Sequence, residues 1–211
     1  MVNHEEETVD LNCVVFDLGK VLLKYDPERL YKRLIPDGEK RRHFLVEVCP
    51  QEWNERIDAG LPFAQAIAER QALFPQWHDE IAAFWHRWEE MQYADIPGTV
   101  EILEALRQRD ELELYVLSNF AAETFETVRR KYTWFSHFDG LVVSAHEQCI
   151  KPDPLIFQRL EQRFAIDPAR TLFIDDRQDN VEAAQSRGWQ GHIFTTPEAL
   201  RDALVSYGLL V

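Results

Sequence analysis

Three short apolar runs, each cut off by polar residues, constrain this chain most. Cys13-Val14-Val15-Phe16 stops at Asp17, Leu114-Tyr115-Val116-Leu117 at Ser118-Asn119, and Thr171-Leu172-Phe173-Ile174 at Asp175-Asp176. Such runs, β-branched or aromatic-rich and without alternation, mark strands buried on both faces. Leu141-Val142-Val143 and His192-Ile193-Phe194 are two shorter candidates. Helical patterns separate them. One opens at Pro97 and puts Val100, Leu103 and Leu106 on one face, and others cover 121–131, 154–164, 180–187 and 197–207. Proline near several starts, and Gly188 and Gly208 at ends, fit helix boundaries. The alternation predicts an α/β fold, a doubly wound, Rossmann-like parallel sheet with helices on both faces.

One interval breaks the pattern. Residues 25–93 contain no convincing strand and read as helices over 26–34, 38–48, 51–58, 62–73 and 78–92. Asp26-Pro27-Glu28 has the form of an N-cap, a first-turn proline and an acid at the helix dipole. The interval is too long for a strand-to-helix connection. The expectation is a core domain of residues 1–24 and 94–211, with a small all-helical cap of residues 25–93 inserted after the first strand.

Composition narrows the function classes. The 211 residues are 45% hydrophobic, enough for one sizeable core plus an accessory domain. Frequent aromatics, including 6 Trp, exclude the disordered class. A formal charge of −14 argues against nucleic acid or anionic membrane as partner, since both need a basic face. It leaves room for an anionic small substrate met by a local positive group or a bound cation. Cys13, Cys49 and Cys149 lack metal-ligand spacing and read as reduced thiols of a cytoplasmic protein. The acidic start MVNHEEETVD lacks the signal-peptide pattern, and no apolar run approaches the ~20 residues of a membrane span. A soluble monomer or homodimer acting on a small molecule is expected.

In doubly wound sheets ligands sit at the carboxyl ends of the strands. Asp17, Ser118-Asn119 and Asp175-Asp176 all fall there, and Lys151-Pro152-Asp153-Pro154 precedes a helix on the same side. Phosphoryl transfer needs an in-line nucleophile and neutralisation of the phosphate oxygens. A carboxylate can attack phosphorus through a covalent intermediate, provided a hard, oxygen-seeking cation such as magnesium screens it from the phosphate. Lys151 would add a point charge, and Ser118 and Asn119 hydrogen bonds.

FDLGKVL, VLSN, KPDPLIF and FIDDRQDNVEAA resemble, in order, the four motifs of the haloacid-dehalogenase-like hydrolase superfamily. The resemblance covers about 1–24 and 94–211; the cap fits by position and helical character alone. It implies a magnesium-dependent phosphatase acting on a small phosphorylated metabolite through an aspartyl-phosphate. Asp17 would be nucleophile and metal ligand, Ser118 with Asn119 would bind phosphate, and Lys151 would steady the charge. Asp176 would be the main acidic metal ligand of the fourth motif, with Asp175 a further candidate. Asn180 stands where many relatives carry a second Asp.

One departure matters. Most phosphatases of the superfamily carry Asp two residues after the nucleophile as general acid and base, and this chain has Gly19. The Gly19 carbonyl can still bind metal and support the phosphate site, but proton transfer from that position is lost. The same pattern resembles a subgroup that includes glucose-1-phosphate phosphatase. A sugar 1-phosphate releases a comparatively acidic hydroxyl, so this substrate class is expected. The group that replaces the missing acid is not legible.

Two other functions compete. A 2-haloacid dehalogenase also uses an Asp nucleophile but no metal, and the acids at 175 and 176 would repel its carboxylate substrate. A catalytically inactive binding protein of the same fold would not need Asp17 and Lys151. Elsewhere the bland reading prevails: Phe84-Trp85-His86-Arg87-Trp88 has core spacing, the histidines lack a metal pattern, and Asp179 reads as a helix-start acid. Trp53, Asn54 and Arg56, just before the turn at Gly60, are candidates to face the site from the cap.

Overall fold

The computed structural model describes residues 10–211; the start of the chain, read above for a leader pattern, lies outside the described residues up to position 9. The chain enters through β1 (Cys13–Phe16) and a tight turn to β2 (Leu23–Tyr25). Five helices follow: α1 (Pro27–Leu34), α2 (Gly38–His43), α3 (Gln51–Asp58), α4 (Phe63–Leu73) and α5 (His78–His86). β3 (Gln92–Asp95) returns the chain to α6 (Pro97–Arg107), β4 (Glu113–Ser118), α7 (Ala122–Lys131), β5 (Gly140–Val143) and the short α8 (Ser144–Glu147). α9 (Pro154–Phe164), β6 (Thr171–Asp175), α10 (Gln178–Gln185), β7 (Gln190–Ile193) and α11 (Pro197–Ser206) complete it.

The main sheet has the order β5-β4-β1-β6-β7 with every pairing parallel, as the buried runs predict. Residues on β1 alternate between two cores. Val14 and Phe16 join Leu103, Leu106, Leu200 and Leu204, from α6 and α11. Cys13 and Val15 face the opposite side, with Ile156, Phe157, Val181 and Ala184 of α9 and α10. The first core runs on without a break into the cap, through Tyr31, Phe44, Trp53 and Phe63. Cap and sheet are thus held against each other by apolar burial, worth about 25 cal/mol per Å² removed from water.

Helix starts follow the local signals. Asp26 accepts from the N–H of Glu28 and Asp153 from that of Leu155, both at 2.9 Å, and each precedes a first-turn proline.

Three features of the cap differ from the sequence reading. The expected helix over 78–92 ends at His86 and gives way to a 3-10 turn, Trp88–Glu90. The expected helix over 38–48 changes at Phe44 into a π-helical turn, Phe44–Val48. β2 and β3 pair antiparallel, with Leu23 opposite Asp95 and Lys24 opposite Ala94. This ribbon straddles the points where the chain leaves and rejoins the core. Its strands have three and four residues, interrupted by Lys24, Gln92 and Asp95, so neither alternation nor a continuous apolar run betrays them. No helix of the described residues is long and apolar enough to cross a membrane.

Candidate active site

β1 ends at Phe16, level with Ile174 of β6, and the N–H of Asp17 donates to the Ile174 carbonyl at 2.9 Å. The next residues turn sharply. The N–H groups of Leu22 and Leu23 both reach the Leu18 carbonyl, at 2.9 and 2.8 Å, and Lys20 takes a left-handed conformation with φ +58°. Gly19 is not forced by space, because a Cβ built there meets no atom within 4 Å.

Lys151 is the hub. It is 1% exposed, and its Nζ lies 2.9 Å from Asp17 Oδ1 and 2.6 Å from Asp175 Oδ2. Burial alone would push this amine down, but the two carboxylates outweigh it and hold the pKa above its ordinary value. Its backbone is clamped by Asn119, whose Oδ1 accepts from the Lys151 N–H at 2.8 Å while Nδ2 donates to the Lys151 carbonyl at 3.0 Å. The sequence expectation gives this amide to the phosphate; in the structure it holds the lysine loop and also lines the cavity.

Asp175 is fully enclosed and saturated. Besides Lys151 it accepts from the Arg177 N–H at 2.8 Å and from Asn180 Nδ2 at 3.0 and 3.1 Å. Asn180, at the position of a second acid in many relatives, therefore donates to a carboxylate. Asp176, next in sequence, lines the cavity with Asp17, Gly19, Asn119 and Lys151, and its carboxylate lies 3.6 Å from Lys20 Nζ. Ser118 is buried just behind, and its hydroxyl has no hydrogen-bond partner among the described residues.

Burial pushes Asp17 up to about 6; Lys151 opposes the shift and Asp175 adds to it. Asp176 is raised by burial as well, with Lys20 opposing. Asp17, Asp175 and Asp176 each offer an oxygen within 4.8 Å of the others, a hard donor set that fits magnesium. Asp17 and Asp176 are the two that open to the cavity.

The cap supplies the rest of the wall. Leu23, Tyr25, Phe63, Trp88 and Phe120 are its apolar lining, with Trp88 and Phe120 edge to face at 5.5 Å. Asn54 and Asp58 of α3 add polar lining, and Arg177 bridges over from the sheet to Glu55 at 3.1 Å. Of the cap residues read from sequence, Asn54 reaches the cavity. Trp53 is buried against Phe84, and Arg56 points outward to Glu69. In the aromatic stretch, Trp88 alone lines the cavity; Phe84 and Trp85 pack against Phe63. Asp58, Tyr25, Phe63, Phe120 and Arg177 were not legible as site residues. Asp58 carried one signal: it closes a helix, the end where the dipole disfavours an acid.

Sheet order, carboxyl-edge acids and the buried lysine define a hydrolase class. The chain belongs to the haloacid dehalogenase-like hydrolase family, whose model matches residues 11–188. It is 33% identical over 180 residues to the sesquiterpene phosphatase astK of Aspergillus oryzae, covering 85% of this chain and 87% of that one. It also matches segments of longer curated relatives, spanning 8% and 20% of two of them. Among solved structures it is similar in fold to a predicted HAD-like hydrolase from Porphyromonas gingivalis, with TM-score 0.73, 20% identity and coverage of 93% of this chain and 97% of that one. A HAD-family enzyme from Bacteroides thetaiotaomicron, an Asp-to-Ala mutant in complex with magnesium and inorganic phosphate, gives TM-score 0.69 at 20% identity, covering 88% of this chain and 95% of that one.

Proposed function

We propose that the protein is a magnesium-dependent phosphatase that hydrolyses small phosphate monoesters with an apolar body through a phosphorylated Asp17. The observation that carries this is the pairing of Asp17 with a buried Lys151 at 2.9 Å, beside two further acids and lining a cavity. The Asp17 oxygen attacks phosphorus and displaces the alcohol; water then attacks the same phosphorus and frees Asp17. Lys151 holds Asp17 in place and offers its charge to the phosphate oxygens. Ser118 supplies a hydroxyl donor, while Asn119 and Asp175 fix Lys151. Asp17, Asp176 and the Gly19 carbonyl would hold magnesium, which when bound screens the phosphate charge from the attacking carboxylate. The saturation of Asp175 by three donors supports a positioning part for it.

Two features bear on the organic group. Gly19 favours an activated ester such as a sugar 1-phosphate, because no acid stands at that position. The wall of Leu23, Tyr25, Phe63, Trp88 and Phe120 favours an apolar body, because sugar hydroxyls facing it would lose their partners. The wall is the larger feature, and the relative named a sesquiterpene phosphatase agrees with it. A metal-free dehalogenase leaves the three-acid cluster without purpose. The free, buried Cys13, Cys49 and Cys149 accord with a cytoplasmic enzyme.

The test is a monoester panel (a terpenyl monophosphate, glucose 1-phosphate and glucose 6-phosphate) with magnesium and with chelator. The terpenyl ester is expected to be hydrolysed best, activity to vanish with chelator, and Asp17→Asn to lose about 10⁴-fold or more. Chelator-resistant turnover, or a fully active Asp17→Asn variant, would refute the reading.

A further inference from the structure

In hydrolysis of an unactivated ester, the leaving oxygen must gain a proton and the attacking water must lose one. Position 19 cannot supply either, although its open surroundings would accept an Asp. Among the described residues three acids line the cavity: Asp17, Asp176 and Asp58. Asp17 and Asp176 belong to the cluster suited to a cation, whereas Asp58 does not. Asp58 comes from the cap, at the end of α3, and lines the same cavity as Asp17 and Lys151. We infer that Asp58 is the general acid and base of this enzyme, supplied by the cap in place of the residue missing at Gly19. The inference rests on the phosphatase reading above.

The surroundings of Asp58 suit a group that cycles its proton. Asn54 Nδ2 donates to Asp58 Oδ2 at 2.9 Å, which orients the carboxyl and leaves Oδ1 without a hydrogen-bond donor among the described residues. No cation forms an ion pair with it among the described residues. The nearby arginine, Arg177, is engaged by Glu55 and Asp179, at 3.1 and 2.6 Å. Asp58 closes α3, where the helix dipole opposes a negative charge. Burial, with Glu55 and Asp17 nearby, raises it to about 7 against the pull of Lys151. A group poised near the working pH serves equally as donor and acceptor. Its position is fixed: the Asp58 carbonyl accepts from the Ser144 hydroxyl at 2.5 Å, and that hydroxyl accepts from the N–H of Phe120 at 2.9 Å. These bonds tie the end of α3 to the loop that follows β4.

The steps balance. In the first, Asp17 forms a bond to phosphorus, the P–O bond to the organic group breaks, and protonated Asp58 gives its proton to the departing oxygen. In the second, ionised Asp58 takes a proton from water as its oxygen attacks phosphorus. Phosphate leaves, and Asp17 is ionised and Asp58 protonated again.

The experiment compares Asp58→Asn, Asp58→Glu and wild type, as full chains with magnesium, on an aryl phosphate and an alkyl phosphate of similar size. The phenolate leaves unaided; the alkoxide does not. Asp58→Asn is expected to lose about 10²–10⁴-fold in kcat/KM on the alkyl ester and far less on the aryl ester. Because its second step lacks a base, the aryl ester should give a burst of one phenol per enzyme, with a phosphoryl group trapped on Asp17 in acid-quenched protein. Asp58→Glu keeps the acid and should retain the wild-type ratio between the esters at reduced rate. Adding Gly19→Asp to Asp58→Asn should restore alkyl-ester turnover, which a merely structural role for Asp58 would not allow. Equal loss on both esters without a burst overturns the assignment, as does a change confined to KM. A wild type inactive on both esters overturns the phosphatase reading, and this assignment with it.

Discussion

The sheet edge and the cap both bring carboxylates to one cavity, and they hold them in opposite ways. At the sheet edge Asp17 and Asp175 share a lysine that is 1% exposed, with contacts of 2.9 and 2.6 Å. In the cap Asp58 has an amide from Asn54 and, among the described residues, no cation in ion-pair contact. Both acids are raised by burial, Asp17 to about 6 and Asp58 to about 7, but Asp17 has a counter-ion in contact. The difference separates two tasks. A nucleophile must be charged when substrate arrives; a proton carrier must be able to be either. One region is built to keep charge and the other to exchange it.

The largest effect should come from removing the counter-ion. Lys151→Met keeps the length of the side chain and discards its charge, leaving Asp17 and Asp175 buried together unpaired. Breaking a buried pair in this way costs about 3–5 kcal/mol. Chemical denaturation of the variant is expected to show a loss of that order, with activity at background. A variant as stable as wild type would mean that the lysine is not what holds the sheet-edge acids, and the contrast with the cap would fall.

The two regions also differ in how far the sequence reveals them. Phe16 to Asp17, Leu117 to Ser118 and Ile174 to Asp175 are abrupt changes from apolar to polar. Buried parallel strands permit few other residues, so strand and site are written in the same letters. Lys151 and Asp176 follow from their motifs. What Asn119 does is not legible, because an amide reads alike whether it meets phosphate or the backbone of Lys151. In the cap, Trp53 and Asn54 are adjacent on one helix, yet Trp53 is core and Asn54 reaches the cavity. Only the docking angle of α3 decides that, and it depends on distant contacts such as Ser144 with the Asp58 carbonyl. The β2–β3 ribbon was hidden for a related reason: each strand is too short for a period, and pairing across residues 26–91 defines it.

A smaller effect sharpens the division between chemistry and selection. Trp88 lines the apolar wall, packs edge to face on Phe120 and lies far in sequence from the acidic loops. Trp88→Leu keeps the site apolar but removes aromatic surface. It should lower kcat/KM for an apolar-bodied monoester about tenfold, equivalent to about 1.4 kcal/mol, chiefly through KM. A small hydrophilic monoester should be little affected. Steady-state kinetics on the two esters decide the matter: an equal fall in kcat for both would place Trp88 with the chemistry and blur the distinction.

A last effect bears on protonation alone. Asp58 sits near an ordinary carboxyl value of ~3.9 in the unfolded chain and at about 7 in the folded one. Between those values the folded protein keeps a proton that the unfolded chain releases. The stability linked to Asp58 is therefore full below the unfolded value and is lost as pH rises through the folded one. Asp58→Asn never ionises and still offers an oxygen to Asn54, so it escapes that loss. In chelator at pH 8 the variant should melt above wild type, by about 2–4 °C for each kcal/mol recovered. Toward pH 5 the gap should shrink, because wild-type Asp58 is then protonated in the fold. Thermal melts at the two pH values measure this directly. A gap independent of pH would mean that Asp58 does not change its protonation between the two values, and the contrast drawn between cap and sheet edge would fall.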